Sequence, residues 1–133
     1  GEVFSEPLPQ GEGKMEQTAN FGAKIRELID LLEEMTGELM LNDMDGFQDH
    51  IPVLSALMET CFPQIILSYS DEHLADVSED ATYWSAQLGR IIDALNGQDK
   101  YVKIDVLYQE TRANLLSYYE MIKDTKIAAQ TVT

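Results

Sequence analysis

The residues best suited by type to do chemistry in this chain are His50, His73, Cys61 and the adjacent carboxylate pairs Glu33–Glu34 and Glu79–Asp80. A histidine on a helical scaffold can carry a phosphoryl group, because its ring changes charge near neutrality. Such a site needs a lysine or arginine nearby to stabilise the added charge, and none occurs between Arg26 and Arg90. Phosphotransfer through His50 or His73 therefore stands as an alternative and not as the leading reading. Cys61 falls beside Phe62 on an apolar stripe, where burial raises a thiol's pKa and makes it inert. Neighbouring carboxylates on a helix point in different directions, so neither acidic pair is set up to share an acid–base task.

Metal and nucleotide chemistry find little more. Asp43, Asp45 and Gly46 carry part of a calcium-loop pattern. With Gly46 as the sixth loop position, however, the first ligand position falls on Leu41 and the bidentate glutamate position on Pro52. Capping a helix is the better use for these aspartates. A di-iron bundle requires Glu-x-x-His on two helices, but Phe47 precedes His50 by three residues and Ser70 precedes His73 by three. Two distant histidines and one cysteine serve zinc equally poorly. No glycine-rich phosphate loop or nucleophile elbow occurs. The chain is accordingly expected to have no catalytic residue, no metal and no cofactor.

The elements that must position these residues are helical. Apolar residues recur at Phe21, Ile25, Leu28, Leu32, Met35 and Leu39, and again at Phe47, Ile51, Leu54, Met58, Cys61 and Ile65. A third stripe runs through Leu74, Val77, Ala81, Trp84, Leu88, Ile91 and Leu95. A fourth runs through Tyr101, Ile104, Tyr108, Leu115, Tyr118 and Ile122, with Thr111 in its seam. Steps of three and four put each set on one helical face, and no stretch alternates with period two. Rods of about 22 residues, each about 33 Å long, joined by short turns must run antiparallel. The prediction is an all-α, up-and-down four-helix bundle over 18–126, with a flexible acidic tail over 1–17 and a C-terminal tail over 127–133. The first helix is expected over about 18–41. Pro52 argues for a second helix beginning near Asp49, and Pro63 for a kink or break within it. The segment Leu41–Phe47 is echoed by Leu95–Tyr101: each has Leu-Asn, an aspartate three residues after the asparagine (Asp45, Asp99) and an aromatic two residues later (Phe47, Tyr101), which suggests two similar hairpins.

Composition narrows the partner. With 24 acidic against 9 basic side chains, the net charge is −15. Fourteen of the acids lie in the base-free interval after Arg26. Nucleic acid and anionic lipid both require clustered Lys and Arg, so neither is expected. The longest apolar run, Ile65-Ile66-Leu67, is far short of a bilayer span. A single cysteine rules out an intramolecular disulfide and favours a reducing, cytoplasmic setting. The chain begins at Gly1 instead of methionine, as a processed or shortened chain does, so that expectation does not reach any upstream segment.

In size, helicity and charge the chain resembles the small acidic chaperones of secretion and flagellar export, although it carries no motif diagnostic of them. The leading reading is a protein-binding accessory, adaptor or chaperone-like domain whose partner is basic or amphipathic. Asp43, Asp45, Asp49, Asp71, Glu72, Asp76 and Tyr119 are its candidate contact residues. A structural homodimer is a further possibility, through Ile29 and Leu31 beside the first seam.

Overall fold

The described helices pack their apolar faces on one another as an up-and-down four-helix bundle. The structure is a computed structural model, and it describes residues 20–70 and 80–132. Helix α1 spans Phe21–Met40, α2 Met44–Ser68 and α3 Asp80–Asn96. The fourth rod is α4 (Lys100–Ile104), a π-helical stretch over Asp105–Arg112, and α5 (Ala113–Ile122). No extended strand occurs among the described residues, only an isolated antiparallel bridge between Asn20 and Thr131. Helix α1 is the most enclosed: it packs most extensively on α2 and also on the fourth rod. That position buries Ile29 and Leu31 along with the expected seam. These two residues therefore belong to the core and offer no second apolar face for self-association.

Helix α2 begins earlier than expected. Asp43 caps it, its Oδ1 accepting from the Gly46 amide at 3.0 Å, and the helix continues through both Pro52 and Pro63 to Ser68. The prolines lie eleven residues apart, close to three full turns, so they share one face, and both are exposed. The carbonyls that each proline deprives of a donor can be hydrated there, which is why neither breaks the helix. By length and composition α2 could cross a membrane. Its buried residues, among them Phe47, Leu54, Met58, Cys61, Phe62 and Ile65, instead pack into the bundle core.

The fourth stripe changes register within the π-helical stretch. Up to its first turn the buried residues are Lys103, Val106 and Leu107; from its last turn onward they are Thr111, Leu115, Tyr118 and Ile122. The wider turn rotates the rod. Tyr101 is thereby turned to solvent and Tyr108 half-buried beneath the Arg112 guanidinium, 4.4 Å from the ring centroid. Only Tyr118, of the three tyrosines at seam spacing, lies in the core.

The segment expected as a C-terminal tail packs against the body. The first amides of α1 have no intrahelical acceptor, and this segment supplies two: Gln130 O accepts from Phe21 N and Ala128 O from Gly22 N, both at 2.9 Å. Asn20 Oδ1 takes Ala23 N at 2.7 Å. Ile127 and Val132 are buried at the same end, beside an aromatic cluster of Phe21, Phe62, Tyr69, Tyr83, Trp84 and Tyr118.

Candidate functional site

The opposite end of the bundle carries the α1–α2 and α3–α4 turns. Asn42 adopts the left-handed conformation, φ 58°, that ends α1. Asp99 caps α4, its Oδ1 accepting from Tyr101 N at 2.9 Å and Val102 N at 3.3 Å. Both turns end in an aspartate cap, but the cap of α2 is Asp43 and not Asp45, the predicted counterpart of Asp99; the Lys100 ammonium joins the turns by donating to Asn42 Oδ1 at 3.0 Å. Around this junction Leu41 is 82% exposed, Tyr101 70% and Met40 67%, with Met44 and Val102 also exposed. Asp43, Asp45 and Asp99 are exposed among them. These large apolar side chains lie outside the core.

Just below this end α1 and α2 share an ionisable cluster. His50 Nδ1 lies 2.9 Å from the Glu38 carboxylate, and Nε2 lies 3.8 Å from Glu34 Oε2. The hydrogen bond to Glu38 holds the His50 pKa above its ordinary value; partial burial opposes this, and the charges of Glu38, Glu34 and Asp49 reinforce it. Gly46 makes room for the arrangement, because a Cβ there would run into the Asp43 and Glu38 carboxylates. A phosphoryl group on His50 would face these carboxylates, and among the described residues no lysine or arginine is paired with them, which disfavours phosphotransfer at this ring.

The predicted contact residues separate. Asp43, Asp45 and Asp49 are exposed at or near the end that bears the turns. Tyr119 lies about a helix length away, half-buried in a groove of about 580 Å³ lined also by Asn20, Gly22, Arg26, Lys123 and Ala128. The cations there are engaged locally, Lys123 with Glu120 at 2.7 Å and Arg26 with Asp30 at 3.6 Å. Asp71, Glu72, Asp76, His73 and Glu79 lie outside the described residues. Cys61 is buried, and desolvation pushes its thiol up to about 12. Glu33 and Glu34 do diverge: Glu33 accepts from Arg112 Nε at 2.8 Å while Glu34 faces His50.

Sequence reasoning treated Glu34 only as half of the Glu33–Glu34 pair, did not consider Glu38, and read Leu41 as a turn residue and Tyr101 as a seam residue. Glu34 and Glu38 could have been found by counting from the hairpin turn. Eight residues either side of Asn42 reach Glu34 and His50, and four either side reach Glu38 and Gly46. Tyr101 gave no such signal, because the π-helical turn that expels it from the seam has no sequence mark of its own. No protein-family model matches the chain, and neither a curated protein nor a solved structure matches it.

Proposed function

We propose that this chain is a protein-binding module that receives a basic, amphipathic segment of another protein on the end carrying its two hairpin turns. The observation behind this reading is the apolar group Met40, Leu41, Met44 and Tyr101, exposed among Asp43, Asp45 and Asp99. Apolar anchors inside a charged rim are the usual anatomy of a contact surface, and Tyr is among the residues enriched there. The acidic rim selects for Lys and Arg on the partner and speeds encounter, so association weakens as salt rises. The net charge of −15 argues against nucleic acid as the partner.

The test places a photo-crosslinking residue at Leu41 in the full chain within its source cells, and a second at Lys126 as a control at the other end. The expected result is a salt-sensitive crosslink from position 41 to a basic, amphipathic segment, abolished by Tyr101→Ser and missing from position 126. Crosslinking to a second copy of the chain, to an acidic segment, or to nothing at low salt would overturn the reading.

A further inference from the structure

Glu34 and Glu38 stand one helical turn apart on α1, and His50 meets them from α2. One ligand atom from each lies within 4.8 Å of the other two. Their surroundings set them apart from the neighbouring carboxylates of α1. Glu27 pairs with Lys24, Asp30 with Arg26 and Glu33 with Arg112. Among the described residues, the ion-pair partner of Glu34 and Glu38 is His50, whose charge depends on a proton. Glu38 is only 13% exposed, so water screens it poorly, whereas Glu34 is 61% exposed and leaves the cluster open on one side. Asp49, on α2, adds a further negative charge felt at the imidazole. Two carboxylates thus converge on one imidazole, and among the described residues no lysine or arginine is paired with either of them.

We propose that Glu34, Glu38 and His50 form a binding site for one divalent transition-metal ion of the zinc type, with solvent completing its coordination. The donor set favours this class. Imidazole nitrogen with carboxylate oxygen suits zinc and its neighbours, whereas calcium and magnesium take sets made wholly of oxygen. Ligands around zinc lie at about 2.0–2.2 Å from the ion, so the exposed Glu34 arm swings inward to close the site. One ring nitrogen of His50 donates its lone pair to the metal, so a ring protonated at both nitrogens gives up one H⁺ to solvent on binding. Binding clips α1 to α2 directly below the exposed apolar end. The inference does not depend on the partner proposed above.

The test titrates the chelator-treated full chain with Zn²⁺, and in parallel with Ca²⁺ and Mg²⁺, by calorimetry in two buffers of different ionisation enthalpy. The expected result is one Zn²⁺ per chain in the micromolar range with net proton release, no comparable calcium or magnesium binding, and a zinc-induced rise in Tm. His50→Gln and Glu38→Gln should each weaken zinc by at least ~10-fold, the scale seen when ligand support is removed. Glu34→Gln, at an exposed position, should fold as the parent does and still lose affinity. Absence of saturable one-to-one binding overturns the proposal, as does zinc binding that His50→Gln and Glu34→Gln both retain, which would assign the ion to other groups.

Discussion

The two ends of this bundle treat most of their apolar side chains in opposite ways, Leu67 at the closed end being an exception at 68% exposed. At the end where the chain closes on itself, six aromatic rings interlock. Trp84 donates to the Tyr69 hydroxyl at 3.1 Å, Tyr118 shares a 2.6 Å hydrogen bond with Ser68, and the segment over 127–132 seals the first turn of α1. At the other end Leu41, Tyr101 and Met40 stand in water beside two aspartate-capped turns. The same kinds of residue are committed to stability in one place and left uncommitted in the other. The exposed group can therefore change without unfolding the protein, which is what a surface for contact requires.

Substitutions sharpen this contrast. We predict the largest loss for Trp84→Ala, which removes a buried ring packed edge-on against Phe62, Tyr118 and Tyr83. The expected cost is about 3–5 kcal/mol, read by urea unfolding. Leu41→Ser at the open end should stay within ~0.5 kcal/mol of the parent, as surface changes do. Comparable losses at both sites would abolish the distinction between the ends. A smaller effect is expected for Tyr118→Phe. It keeps the ring and deletes one buried hydroxyl, while the Ser68 hydroxyl retains Ile65 O as acceptor at 2.6 Å. Unfolding should then show a loss of ~1 kcal/mol, and a loss as large as that of Trp84→Ala would mean that the hydroxyl network, not ring packing, holds the closed end.

What the sequence made legible follows from which forces are local. Every predicted seam residue of α1 is buried, because a three-and-four rhythm leaves one way to turn such a helix. The cap at Asp99 was readable from the turn chemistry that follows Asn96, whereas α2 is capped by Asp43 in place of the expected Asp49. The start of α2 was misplaced because the cost of proline depends on whether the freed carbonyl faces water, a tertiary fact that Pro52 does not announce. The π-helical stretch hid behind apparently regular spacing at Tyr101 and Tyr108. There the buried bonds of Gln87 Nε2 to Thr111 Oγ1 at 2.9 Å and Glu110 Oε1 at 3.1 Å accompany the wider turn. The packing of residues 127–132 could not be foreseen, since it answers α1 amides more than a hundred residues earlier in the chain. The Glu34–Glu38–His50 cluster was overlooked because metal motifs were sought along one helix and not across a hairpin.

The most delicate expected effect concerns that cluster and its dependence on pH. His50 holds its proton more tightly in the folded protein than in the unfolded chain, chiefly because Glu38 accepts a hydrogen bond from the ring. A raised pKa means that folding is favoured while the ring is charged in both states. The stabilisation is complete below the ordinary histidine value of about 6.5 and disappears as pH rises through the folded value. The groups facing the ring are Glu34 and Glu38 from α1 and Asp49 from its own helix. In the presence of a chelator, the Tm difference between the parent and His50→Gln should be greatest at mildly acidic pH, below the ordinary histidine value of about 6.5, and shrink steadily toward alkaline pH. Groups common to both proteins, His73 among them, cancel in that difference. A gap that stays constant or widens with pH would show that His50 supports the α1–α2 hairpin through packing alone. Zinc added at alkaline pH should reopen the gap, because the ion then supplies the positive charge that the proton has ceased to provide.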